Sequence, residues 1–92
     1  MAVTTKAPRQ SAQAMADRLL RTLALNARSA REEMGLTQRE LAAKAGTSQR
    51  RINMIETAIA NPTLLTLVRV GKCVNRTVVE LLTAPTQPPS KP

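Results

Sequence analysis

The sequence contains no phenylalanine, tyrosine, tryptophan or histidine, and only one cysteine, Cys73. Each absence removes a class of function. Without aromatic rings there is no platform for stacking unpaired bases, which disfavours single-strand binders and most sequence-specific RNA modules. Without histidine, and with one thiol, the chain lacks a set of zinc ligands, a Ser-His or Cys-His nucleophile and a disulfide partner. No metal or cofactor is therefore expected, and no paired acid–base constellation marks an enzyme. The cysteine usage fits a cytoplasmic protein, with Cys73 packing as a small hydrophobe on the apolar face of a helix. No apolar run is long enough to cross a membrane, so none is expected as a partner. The core has to come from Leu, Ile, Val, Met and Ala, in a chain of 92 residues that suffices for one small domain. Such a core predicts modest stability, which association into a dimer would reinforce.

Acidic residues are also scarce. Six Asp plus Glu stand against fourteen Lys plus Arg, a formal charge of +8, which favours a polyanion or an acidic protein surface as partner. With base stacking disfavoured, duplex DNA is the better polyanion. The first sixteen residues hold no acid and include Lys6 and Arg9. That composition resembles a transit peptide, but the helical pattern runs directly on into the domain.

The most informative stretch is residues Gln38 to Thr57, QRELAAKAGTSQRRINMIET. Leu41, Ala42 and Ala45 share one face of a first short helix, and Ile52, Ile55 and Glu56 share one face of a second, at the 3.6-residue period. Gly46 lies between them, where a left-handed turn is needed. Thr37 with Glu40 forms a capping box, and Leu36 with Leu41 a hydrophobic staple, so the first helix begins at Gln38. Ser48 is the natural N-cap of the second. Gln49, Arg50, Asn53 and Met54 face away from the apolar seam, with Arg51 at its margin, a mixture suited to hydrogen bonding and charge.

The flanks continue the helical pattern. Leu20, Leu23, Ala24, Ala27, Ala30, Arg31 and Met34 form a stripe that starts near Ser11 or Ala16 and stops at Gly35. After a loop over residues 57–62, Thr63 or Thr66 caps a fourth helix with its apolar stripe on Leu64, Leu67, Val68, Gly71 and Val74, and Asn75 supplies its left-handed stop. Thr77 with Glu80 makes a second capping box before a short fifth helix ending in Leu81 and Leu82. The chain thus divides into a flexible basic arm at 1–15, a helical domain at 16–83 and a Pro-rich tail at 84–92 that is disordered or polyproline-like.

Together, AREEMGLTQRELAAKAGTSQRRINMIE and NPTLLTLVRVGKCVNRTVVELL resemble the phage Cro and repressor-like, or Xre-type, DNA-binding domains over about Leu20 to Leu82. The resemblance implies an all-α fold, a five-helix lambda-repressor-like domain with its helix-turn-helix at helices 2 and 3. It implies a sequence-specific, dimeric regulator of transcription, a repressor that inserts helix 3 into the major groove of a pseudo-palindromic operator. In that frame Gln49, Arg50, Asn53 and Met54 read bases. Gln38, Arg39, Lys44, Ser48, Arg51 and Asn61 contact phosphates, and Arg31 and Glu56 form an ion pair joining helix 1 to helix 3. Ile59, Leu65, Val79 and Leu82 are candidates for a homodimer interface or, equally, ordinary core positions. Two features depart from the family: Ala58 stands where glycine is usual, and Ala27 and Ala30 are small, which implies either close helix packing or a thin core. The alternative function is an antitoxin-like module that neutralises a protein partner and autoregulates its operon.

Overall fold

The computed structural model describes residues 11–59 and 61–85, and every regular element among them is an α-helix. The helices are α1 (Ala12–Glu33), α2 (Gln38–Ala45), α3 (Gln49–Glu56), α4 (Leu64–Val74) and α5 (Val78–Leu82).

Side-chain caps set the starts. The Ser11 hydroxyl accepts from the Ala14 N–H at 3.0 Å, so α1 reaches back to Ala12 and takes in residues 12–15, which the sequence reading places in the arm. The remainder of that arm, with Lys6 and Arg9, lies outside the described residues, as does the tail from 86 onward. Both capping boxes are present: Thr37 Oγ1 accepts from Glu40 N at 3.0 Å while Glu40 Oε1 accepts from Thr37 N at 2.8 Å, and Thr77 with Glu80 repeats the pattern. Thr63, rather than Thr66, caps α4. Gly46 (φ 70°) closes α2 and Asn75 (φ 61°) closes α4, both in the left-handed region.

The core gathers Leu23, Ala27 and Ala30 of α1, Leu41, Ala42 and Ala45 of α2, Ile52 and Ile55 of α3, Leu67, Val70 and Val74 of α4, and Leu81 of α5. Ala27 and Ala30 are 1% and 2% exposed. An alanine covered that completely has neighbouring helices directly upon it, so the small residues of α1 mark close packing rather than a thin core. Three stripe assignments change. Met34 is half exposed because α1 ends at Glu33 and leaves it as the C-cap. In α4 the buried ridge is Leu67, Val70, Gly71 and Val74, at spacings of three and four, so Val68 turns to solvent, and Leu64 in the first turn is uncovered. Cys73 is half-buried at the core margin. At Gly71 a Cβ would overlap the Arg76 carbonyl oxygen, so the α4–α5 turn folds back onto a place only glycine can occupy.

Long-range polar ties complete the assembly. Asn26 of α1 donates from Nδ2 to the carbonyls of Leu81 (2.9 Å), Thr83 (2.9 Å) and Glu80 (3.3 Å), satisfying the C-terminal end of α5. Arg76, after α4, donates to Glu33 of α1 at 2.6 Å.

Candidate nucleic-acid interface

Burial of Ile52 and Ile55, at 1% and 3% exposure, fixes which way α3 faces. Its outward surface then carries Gln49, Arg50, Arg51 and Asn53, all exposed. The Ser48 hydroxyl accepts from Arg51 N at 3.1 Å, leaving other N–H groups of the first turn of α3 open to solvent beside the two arginines. Met54, expected to face outward with them, is half-buried and lines a cleft of 510 Å³. Ser48, Arg50 and Arg51 line the same cleft, and Asn61 and Thr63 approach it from the start of α4.

Behind this surface lies a hydrogen-bonded network. Arg31 of α1 meets Glu56 at the end of α3 through two parallel bonds, Nε to Oε2 at 2.7 Å and Nη2 to Oε1 at 2.9 Å, while its Nη1 donates to Leu36 O at 2.7 Å. The two side chains are 12% and 3% exposed. Hydrogen bonding to Glu56 raises the Arg31 guanidinium above its ordinary value against the opposing pull of burial, and the charges of Glu56 and Glu32 add to the rise. Gln38, at the first position of α2, joins the network: its Nε2 donates to Glu56 Oε1 at 3.1 Å and to Asn53 Oδ1 at 3.3 Å. The side-chain nitrogen of Gln38, a residue expected to contact a phosphate, thus bonds within the α2–α3 seam, while its backbone N–H lies at the start of α2.

The electrostatic balance of the surface follows from where the acids are. All six Asp and Glu side chains are engaged internally. Asp17 accepts from Gln13, Glu32 pairs with Arg28, Glu33 with Arg76 and Glu56 with Arg31, while Glu40 and Glu80 close capping boxes. The Thr37 backbone N–H, and next its hydroxyl, hold the Glu40 carboxyl below the ordinary carboxylate range. Arg39, Lys44, Arg50 and Arg51 have no carboxylate within ion-pair distance among the described residues.

The structure thus brings Ser48, Arg50, Arg51, Met54 and Asn61 around one cleft and sets Gln49 and Asn53 on the same short helix. Lys44 stands apart, beside Arg69 and Lys72 in a second depression. Arg39 is exposed on the first turn of α2. Of the four residues considered for a dimer interface, Ile59, Leu65 and Val79 are 70%, 58% and 73% exposed and are not core, whereas Leu82 is half-buried against it. Ala58 adopts φ 59°, a left-handed conformation in which its Cβ is strained. Sequence reasoning missed two contributors. Asn26 bonds to residues more than fifty positions away, and nothing local signals that. Thr66 lines the cleft because it lies one turn beyond the cap of α4.

Comparison with known proteins places this geometry. The family described as helix-turn-helix matches residues 28–81. An uncharacterized HTH-type transcriptional regulator of Sinorhizobium fredii, y4dJ, is 37% identical over 59 residues, spanning 64% of this chain and 77% of that protein. Among solved structures, the hypothetical transcription factor NHTF from Neisseria superposes with a TM-score of 0.70 at 27% identity, over 73% of this chain and 77% of its own. The clp gene regulator ClgR from Corynebacterium glutamicum gives 0.65 at 26% identity, over 70% and 68%.

Proposed function

The chain belongs to the Xre-type helix-turn-helix family of transcription regulators, and on that premise we propose that it is a dimeric repressor that reads a pseudo-palindromic DNA operator with α3. The observation that carries the reading is the outward face of α3, where two arginines with no carboxylate partner among the described residues and two amides stand on a helix locked from behind by Ile52, Ile55 and the Arg31–Glu56 pair.

Gln49 pairs through its amide with adenine N6 and N7, and Arg50 presents its fork to guanine O6 and N7. Asn53 contacts a neighbouring base edge, and Met54 gives apolar contact to a thymine methyl. Arg39, Lys44, Ser48, Arg51 and Asn61 hold phosphates, and Gln38 contributes its backbone N–H at the start of α2, fixing register without reading sequence. Each neutralised phosphate adds ~0.9 to the slope of log affinity against log salt. Two copies meeting through Ile59, Leu65, Val79 and Leu82 set their α3 helices ~34 Å apart, one turn of duplex. Repression follows by occlusion of the promoter, in the cytoplasm, with binding rather than catalysis as the chemistry.

The test is selection from random duplex DNA at near-physiological salt. Enrichment of a pseudo-palindrome, lost in Gln49→Ala and Arg50→Ala, is the expected outcome. Weak, salt-sensitive binding without enrichment overturns the reading and leaves an antitoxin-like protein module as the function to pursue.

A further inference from the structure

We infer that Glu56 fixes the hydrogen-bond polarity of the DNA-reading surface, acting through Gln38 so that Asn53 meets DNA as a donor. The inference rests on the DNA-reading function proposed above and adds a specificity-determining relay behind it.

An amide side chain can present either its oxygen or its nitrogen to a partner, and the choice is set by what else it touches. A carboxylate offers only acceptors. The Gln38 atom facing Glu56 Oε1 at 3.1 Å must therefore be the nitrogen, and the same nitrogen reaches Asn53 at 3.3 Å. The Asn53 atom it meets must in turn be the oxygen. With Oδ1 occupied, the Nδ2 of Asn53, which has no partner among the described residues, is the group left to face outward. Glu56 cannot turn away to relax this order, since its side chain is 3% exposed and both its oxygens are held by Arg31. The chain of constraint runs from the helix 1 arginine to the exposed face of α3 in three steps. Gln38 is accordingly a positioning residue, and Asn53 is the group that touches the base.

A donor selects a base edge bearing an acceptor, namely guanine O6 or N7, adenine N7 or thymine O4, and rejects the N4 amino group of cytosine. The experiment uses the full chain and the duplex enriched by the selection above, with every base pair substituted in turn. For the wild type, one position falls to Asn53, identified as the position whose preference changes in Asn53→Asp. That variant keeps an oxygen toward Gln38 and turns a second oxygen outward, so the preference there moves from an acceptor-bearing edge to cytosine N4 or adenine N6. In Gln38→Ala the Asn53 amide is free to turn over, and discrimination at that one position falls about tenfold, while discrimination at the positions sensitive to Gln49→Ala and Arg50→Ala is unchanged.

A Gln38→Ala variant that loses affinity equally for every duplex has lost a side-chain contact to phosphate rather than a hold on Asn53, and that result overturns the relay while leaving DNA reading intact. So does an Asn53→Asp variant with unaltered base preference. A wild type that discriminates among no duplexes refutes the DNA-reading function itself, and the relay with it. Far-ultraviolet circular dichroism of each variant separates these outcomes from unfolding.

Discussion

Replacing Glu56 with alanine leaves the Arg31 guanidinium between helices with one hydrogen bond, to Leu36 O, in place of three, and deprives Gln38 of its carboxylate partner. Exposure decides the magnitude. A solvated pair is worth ~1 kcal/mol or less, but side chains 12% and 3% exposed belong with buried pairs, for which removing one partner costs ~3–5 kcal/mol because the survivor's charge stays desolvated. A domain of 92 residues holds roughly 5–14 kcal/mol in all, so Glu56→Ala removes about a fifth of it or more. At ~4–8 °C per kcal/mol for a domain of this size, the melting temperature falls by at least ~12 °C. Far-ultraviolet circular dichroism during heating and urea titration is the assay, since the chain has no aromatic residue for intrinsic fluorescence. Arg31→Met combined with Glu56→Leu recovers most of the loss, because the apolar pair carries no desolvation cost. A shift below ~4 °C in Glu56→Ala refutes the reasoning and places the pair among solvated ones.

Three further outcomes follow from the same geometry. Ala58→Gly relieves a left-handed Cβ and raises stability by ~1 kcal/mol after the entropy of the unfolded glycine is subtracted, readable as a higher urea midpoint at constant slope. Gly71→Ala drives a Cβ into the Arg76 carbonyl, displaces the α4–α5 turn and lowers the melting temperature, the reverse of what alanine does in an open helix. The Glu40 carboxyl is held below its ordinary value by Thr37, so between the folded and unfolded values the unfolded chain binds more protons and stability rises with pH. The capping-box contribution is present above the unfolded value and is lost as pH falls through the folded one. Glu40→Gln flattens that part of the pH dependence of the urea midpoint.

Signals confined to a few consecutive residues were legible in the sequence. Thr37 with Glu40, Ser48, Asn75, and Thr77 with Glu80 each act within one helical turn, and each stands in the structure where its spacing puts it. The face of α4 was harder to read, because LLTLVRVGKCV is apolar nearly all round. Its period alone does not separate Val68 from Val70, and only the neighbours that cover Val70 do. Contacts between distant residues carried no local mark: the reach of Asn26 to α5 and of Gln38 to Asn53 depends on helices meeting. The Arg31–Glu56 pair was legible only through the family resemblance, since neither residue announces its partner at a separation of twenty-five. At the candidate interface residue types pointed to α3, whereas the hydrogen-bond polarity of Asn53 needed coordinates.

Asn26 and Arg31 project from the same helix, one fastening α5 and the other α3, five positions apart at ~1.5 Å of rise each. A five-residue helix has too few internal bonds to persist alone, so α5 holds its place as a fixture of α1. On the function proposed above, α3 and the α5 part of the surface assigned to a second copy, Val79 and Leu82, are thus both fastened to one rod. If that dimeric function holds, half-site spacing is a dimension machined into α1, and duplexes with base pairs inserted at the centre measure how little that rod gives.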